Sequence, residues 1–297
     1  MGIRADNLVD AFAQAKGTVP SENPPVHLGA DLTERGAMKD HFILEARDLT
    51  ISFGGLRALD GVDFNVRSRE IVGLIGPNGS GKTTFFNVVS GIYKPDEGEV
   101  WFGGENVVRR KPHEITKRGM ARTFQNSRLF WQLSILDNVI IGMYTQQKGS
   151  LFDIIFRYDQ TKRELRRCAE KAREILGYLS HELYDKCSEL VLDLPQGDRR
   201  RVEICRALAT NPKLLLLDEP SAGMSPEETD KLMEDIGRVK EMYKDISMII
   251  IEHDMVVIEK IAQKVIVFNY GKKIAEGTFS EVSRNDEVLQ AYLGEEI

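Results

Sequence analysis

The sequence predicts an α/β fold in which a parallel sheet is covered by helices and joined to an antiparallel β segment. Three observations carry that prediction. The stretch GPNGSGKTT, Gly76 to Thr84, lies between a buried strand at Ile71–Ile75 and the helical run FFNVVSGI. Two short, continuous apolar runs, KLLLLDEP and SMIIIEHD, have the length and composition of strands buried on both faces. Between them ETDKLMEDIGRVKEMY is amphipathic at helical spacing, so the three segments make a βαβ unit.

The remaining elements follow in chain order. Residues 1–40 are polar and Pro-rich without apolar periodicity, which predicts a disordered tail. Met38 stands just before the first regular segment, so residues 1–37 are either a tail or precede a start at Met38. From Phe42 the alternating FILEARDLTISFGG and ALDGVDFNVRSREIVGLIG read as antiparallel strands feeding Ile71–Ile75, and GEVWFGG as a further strand. From about Pro112 to Ala209 the pattern is mostly helical. TKRELRRCAEKAREILGYL puts Leu165, Cys168, Ala169, Ala172, Ile175 and Leu176 on one helical face, to be read as core packing. GTFSEVSRNDEVLQAYLG reads as one short closing helix, and no internal repeat is present.

Composition excludes several function classes. The 297 residues suffice for one large or two modest domains. With 42% hydrophobic and 29% charged residues, the chain is ordinary for a soluble globular protein. A net charge of −6 argues against a nucleic-acid surface, and the basic run VVRRKPHEITKR reads as a solvated face. Cys168, Cys187 and Cys205 have neither metal-ligand nor redox spacing, as expected of reduced thiols in the cytosol. The N-terminus lacks a signal-peptide core, and Asp6 breaks the myristoylation pattern. No apolar run approaches the roughly 20 residues that span a bilayer, so any membrane role must come from a partner.

The chemistry concentrates in a few places. Gly76, the four residues Pro77, Asn78, Gly79 and Ser80, then Gly81, Lys82 and Thr83, satisfy G-x-x-x-x-G-K-[ST], and Thr84 follows. Glycines let successive N–H groups turn inward around phosphate oxygens, and the helix that follows adds its positive end. Lys82 would reach the β- and γ-phosphates, and Thr83 would offer a hydroxyl to Mg²⁺. Asp218, ending an apolar strand, can hold Mg²⁺, and Glu219 beside it can polarise an attacking water. Three further residues mean little alone. Gln125 either contacts metal and water or lies on the surface; His253 either bonds the γ-phosphate or is structural; Phe53 either stacks on an adenine or belongs to the core.

Taken in order, these pieces resemble the ATP-binding cassette family over about Phe42 to Gly294. Phe53 matches its aromatic A-loop, GPNGSGKTT the Walker A loop, Gln125 the Q-loop and LPQGD the signature. LLLLDEP matches Walker B with Glu219 as the catalytic carboxylate, SAGMSPEE the D-loop and His253 the switch histidine. The resemblance implies one P-loop NTPase cassette over 41–297, with a RecA-like parallel core, an antiparallel β subdomain and a helical subdomain at about 125–209. It implies ATP and Mg²⁺ as cofactors, the metal near Thr83, Gln125 and Asp218. ARTFQNSRLFWQLSILDNVIIGM, RRVEICRALATNPKLLLLDEPSAGMSPEET and YGKKIAEGTFSEV look like the branched-chain amino-acid uptake subfamily, as does an insertion at GSLFDIIFRYDQTKRELRR. Cassettes for urea, aromatic acids or lipopolysaccharide export look similar at this level, and soluble, non-transport cassettes are the rival class. The importer reading implies transmembrane permease subunits, an indirectly linked substrate-binding protein, and a cytoplasmic position on the inner face of the cell membrane.

One motif departs from the family pattern. The signature usually reads Leu-Ser-Gly-Gly-Gln and grips the γ-phosphate held by a second cassette. Here Leu194, Pro195, Gln196, Gly197 and Asp198 occupy it. Proline suits a helix's first turn but offers neither hydroxyl nor N–H, and the charge of Asp198 would repel a phosphate. The expectation is a heterodimer with one competent and one weakened site; the alternative is a turn that still works through the Gly197 N–H and the helix end. Ser225, where relatives carry Asp or Asn, is a second departure at the same seam.

Overall fold

The computed structural model describes residues 42–125, 128–146 and 158–293; the expected tail at 1–40 and much of the expected insertion lie outside them. Strands β1 (Phe42–Phe53) and β2 (Leu56–Arg67) form an antiparallel hairpin, Phe53 facing Leu56, with Gly54 at φ 59° in the turn. After β3 (Ile71–Ile75), helix α1 (Lys82–Val89) leads to β4 (Glu97–Phe102) and β5 (Glu105–Asn106). These complete a four-stranded sheet in the order β2-β1-β4-β5.

Next come α2 (Pro112–Lys117), β6 (Met120–Arg122), α3 (Ile135–Gly142), α4 (Tyr158–Leu179), α5 (His181–Asp185) and α6 (Gln196–Leu208). The chain then alternates β7 (Leu214–Asp218), α7 (Pro226–Met242), β8 (Ser247–Ile251), α8 (Met255–Ile261) and β9 (Lys264–Asn269). It closes with β10 (Lys272–Gly277), α9 (Phe279–Val282) and α10 (Asp286–Leu293). The second sheet runs β10-β9-β3-β8-β7-β6, parallel except for β10.

This sheet explains the continuous apolar runs, because alternate residues of each strand enter different cores. Ile71, Ile75, Leu215, Leu217, Met248 and Ile250 pack toward the helices α3, α4, α6 and α7. Val72, Leu74, Leu214, Leu216, Ile249 and Ile251 pack against α1 and the antiparallel sheet. A strand with two dry faces has no polar alternation to show. Phe64, Phe85 and Phe268 join the two sheets, with the first pair's ring centroids 4.4 Å apart and the last pair's 5.6 Å.

Three local expectations change. The mostly helical stretch contains β6, whose three residues pair with Leu214–Leu216 and carry no readable period. The closing helix is two, since Thr278 and Glu281 form a capping box around α9 and α10 begins only at Asp286. On α4, Ala172, Ile175 and Leu176 are buried as expected, but Leu165 is exposed and Cys168 and Ala169 are only partly buried.

Candidate functional site

The loop at Gly76–Gly81 is shaped by close approach. Gly76 has φ 145°, and a Cβ there would stand 2.1 Å from the Phe268 carbonyl of the neighbouring strand. Gly81, at φ 105°, caps α1 without a side chain, and its Cβ would stand 2.5 Å from the Ala58 carbonyl. Left-handed conformations of this kind are open to glycine at little cost. Lys82 is buried, and its ammonium donates to the carbonyls of Gly76 (2.6 Å) and Pro77 (2.7 Å). The charge is therefore tethered inside the loop. With α1 starting here, its first N–H groups lack intrahelical partners, an arrangement that favours an anion.

Opposite the loop, three residues from distant elements meet. Glu219 follows β7; its carboxylate accepts a hydrogen bond from Gln125 Nε2 (2.7 Å) and another from His253 Nε2 (2.7 Å), just beyond β8. The His253 bond is the main reason the Glu219 carboxyl is held below the usual range, outweighing its partial burial. Glu219 also has φ +46°, a left-handed conformation that costs a side-chain-bearing residue about 1–2 kcal/mol. Strain of this size persists where the surroundings hold it, commonly at functional sites.

Asp218 lies one residue back, deep in the sheet. Its Oδ2 accepts from Arg122 Nη2 at 2.8 Å in a buried pair, while Oδ1 is buried without a protein donor. Burial pushes the Asp218 carboxyl up, and Arg122 opposes it. A carboxylate with one anchored and one free oxygen fits a metal ion or its bound water, and the Thr83 side chain lies on the exposed rim of the loop. A single cavity of about 370 Å³ takes in Phe53, Asn78 to Thr84, Glu219, His253 and Tyr270.

Comparison with known proteins decides what this arrangement belongs to. The family model described as ABC transporter matches residues 59–222, more than half of the chain. The chain belongs to the ABC transporter family. A second model, for branched-chain amino acid ATP-binding cassette transporters, matches residues 272–297. The high-affinity branched-chain amino acid transport ATP-binding protein BraF of Pseudomonas aeruginosa is 36% identical over 253 residues, covering 85% of this chain and 98% of that protein. Among solved structures, a nucleotide-free ATP-binding cassette from an ABC transporter aligns with TM-score 0.73 and 32% identity over 85% of this chain and 99% of its own. The dimeric post-hydrolysis state of an ATP-binding cassette bound to ADP and Pi aligns with TM-score 0.65 and 25% identity, over 80% of this chain and 98% of its own.

In this ABC cassette, Phe53 stands on the cavity wall 46% exposed, its ring 5.3 Å from that of Tyr93 in an edge-on arrangement, so it is no core residue. Tyr270, in the turn between β9 and β10, lines the same cavity and was not singled out from the sequence. Arg122 was missed as well. Its guanidinium lies between the rings of Phe86 and Phe124, 5.3 and 5.0 Å from their centroids, and also reaches Asn87 (2.8 Å). Only ART before FQ hinted at a cation there.

The signature turn differs from expectation in one respect. Asp198 does not present its charge to the surface. Its carboxylate is buried and pairs with Arg201 Nη1 (3.0 Å), which also holds Asp235 through Nε (2.6 Å). The expected repulsion of a phosphate by Asp198 is therefore largely cancelled, because the helix turns that side chain inward. Pro195 is the N-cap of α6 and supplies no side-chain bond, and the Gln196 amide is spent on the Ala222 carbonyl (2.9 Å). The first intrahelical bond runs from Arg199 N–H to the Pro195 carbonyl, so the N–H groups of residues 196–198 have no intrahelical acceptor. Leu194 anchors the turn in the core, and Gly197 packs close to Glu228. Ser225 caps α7 in a capping box with Glu228.

Glu252, beside His253, is buried and accepts the Ser221 N–H (2.8 Å), which ties the histidine's strand to the segment after Glu219. Burial raises its carboxyl pKa. The folded chain therefore keeps this proton at pH values where an unfolded glutamate, at about 4.3, has lost it. The stability it contributes is complete below that value and declines as pH rises through the folded value. Glu252→Gln keeps the acceptor and removes the titration. Thermal melts should show the variant more stable than wild type at pH 8, with the gap closing toward pH 4. A gap independent of pH would refute this account.

Proposed function

We propose that this chain is the ATP-hydrolysing subunit of an ABC importer for branched-chain or related amino acids, acting at the cytoplasmic face of the membrane. The observation that carries the reading is the shared cavity. It holds the Lys82 loop for phosphates, Phe53 for the base, and a Glu219 carboxylate aimed by Gln125 and His253. Glu219, ionised at neutral pH, orients and takes a proton from the attacking water, while His253 keeps the carboxylate fixed. Mg²⁺, held near Thr83, Gln125 and Asp218, would neutralise charge on the β- and γ-oxygens. Among the described residues no helix is long and apolar enough to cross a membrane; in this reading motion passes to separate transmembrane subunits. A second cavity of about 260 Å³, next to the Gln125 loop and lined by Ile92, Phe124, Ile141 and Arg206, is the surface we assign to them.

In the proposed assembly a second cassette closes over the cavity, and the chain's own signature completes that partner's site. A signature offering backbone N–H groups but no hydroxyl gives one competent and one weakened site, hence a heterodimer. Loss of one hydrogen bond to a charged group, about 1.5–3 kcal/mol, weakens closure roughly 10- to 150-fold. The test is ATP turnover of the purified chain, alone and with the cassette encoded beside it. Turnover should require the partner, and Pro195→Ser should let the chain alone dimerise on ATP and turn over. Full activity of the unmodified chain alone would sink the unequal-site reading, and no activity in any pairing would sink the ATPase reading.

A further inference from the structure

Helix α6 carries a polar stripe that lines neither the cavity at the Lys82 loop nor the signature turn, although Glu203 and Arg206 border the second cavity. Arg200, Glu203 and Arg206 are spaced by three and share one helical face. Arg200 and Glu203 are buried. The Arg200 guanidinium donates through Nε to the Pro220 carbonyl (3.1 Å), and through Nη1 to the Phe124 carbonyl (2.8 Å) and Glu203 Oε2 (2.7 Å). Its Nη2 reaches the carbonyls of Gln125 (3.3 Å) and Glu219 (3.3 Å). Glu203 Oε1 accepts the Arg128 N–H (3.1 Å), and Arg206 Nη1 donates to the Arg128 carbonyl (2.7 Å).

One helix face thus grips both ends of the loop that carries Gln125 and the backbone of Glu219 and Pro220. That backbone is the strained one, with Glu219 at φ +46°. A planar guanidinium has five N–H groups in a rigid fork; lysine has a single flexible ammonium that cannot span carbonyls from two segments. A buried arginine needs acceptors, and here they are the Glu203 carboxylate and main-chain carbonyls of Phe124, Gln125, Glu219 and Pro220, the two segments whose Gln125 and Glu219 side chains meet.

We propose that Arg200 is a positioning residue that sets Gln125 and Glu219 at their mutual distance, without itself touching nucleotide. The inference rests on Glu219 being the carboxylate that activates water. Because α6 begins at the turn that would meet the partner's nucleotide, Arg200 also joins that turn rigidly to this chain's own carboxylate.

The test uses the full chain with its neighbouring cassette and the variants Arg200→Lys, Gln125→Ala and both together. Affinity is read with trinitrophenyl-ATP, turnover as kcat, and local order by backbone amide exchange. Displacing a catalytic group by about 1 Å costs on the order of 100-fold, so Arg200→Lys should lower kcat about that much with Kd changed less than about threefold. The double variant should be no worse than the poorer single one, and exchange should quicken at 123–125 and 219–222. Unchanged kcat, multiplying losses in the double variant, or exchange that quickens throughout the chain would each overturn the proposal. If the wild type hydrolyses no ATP in any pairing, the proposed function falls instead, and exchange confined to those two segments still decides for or against Arg200.

Discussion

Glu219→Gln should leave ATP bound and reduce hydrolysis by about 10²- to 10⁴-fold, the usual contribution of a positioned general base. The amide is the same size, so the Gln125 contact at 2.7 Å has somewhere to go, and the cavity keeps its shape. The proton acceptor is what disappears. In wild type the His253 bond holds the Glu219 carboxyl below the ordinary range, so the group stays ionised at neutral pH and down past about 4.3. Loss of activity in Glu219→Gln is therefore expected at every pH where the wild type works. Rapid-quench turnover alongside trinitrophenyl-ATP binding separates the two effects. If turnover survives while binding is intact, water is activated elsewhere.

Lys82→Ala acts on the other side of the cavity, and its effect belongs to affinity. The buried ammonium is held by two carbonyls within 2.7 Å, which fixes it where phosphate oxygens would enter. Two hydrogen bonds to charged oxygens at about 1.5–3 kcal/mol each predict a Kd for ATP raised roughly 10²- to 10⁴-fold. The substitution also leaves the Gly76 and Pro77 carbonyls without their donor, so the empty loop should lose order as well. Equilibrium binding with a thermal melt as control checks this. A Kd within threefold of wild type would show that the phosphates lie elsewhere.

How much of this could be read from the residues depended on how local each feature was. The loop at Gly76–Thr83 is legible because every group it needs lies within eight consecutive positions and the flanking periods change from strand to helix. Leu214–Leu217 and Met248–Ile251 were legible as strands because burial on both faces writes itself as an unbroken apolar run. The meeting of Gln125, Glu219 and His253 was suggested only by family resemblance, since nothing local says that a loop, a strand end and a turn 34 residues further on converge. Arg122 pairs with Asp218 across 96 positions, and Arg200 serves two segments at once. Neither has a spacing to recognise. Asp198 shows the opposite failure: its place at a helix start was plain, but the inward turn toward Arg201 depends on where α7 sets Asp235. The three-residue β6 is too short for any period.

The position of β3 has a consequence for how the chain is made. This strand, which launches the phosphate loop, lies between β8 and β9, whose residues come near the end of the sequence. A ribosome that has finished Ile75 must still add everything up to Lys264 before the second neighbour begins to exist. At about 5–20 residues per second that is roughly 10–40 seconds. Throughout that interval the loop is present as covalent sequence but lacks the β9 side of its sheet, and Gly76 has no Phe268 carbonyl to fold against. A product truncated before Lys264 therefore lacks the carbonyl against which Gly76 packs. The surroundings of the loop are completed in one late step, when the last parallel strand arrives.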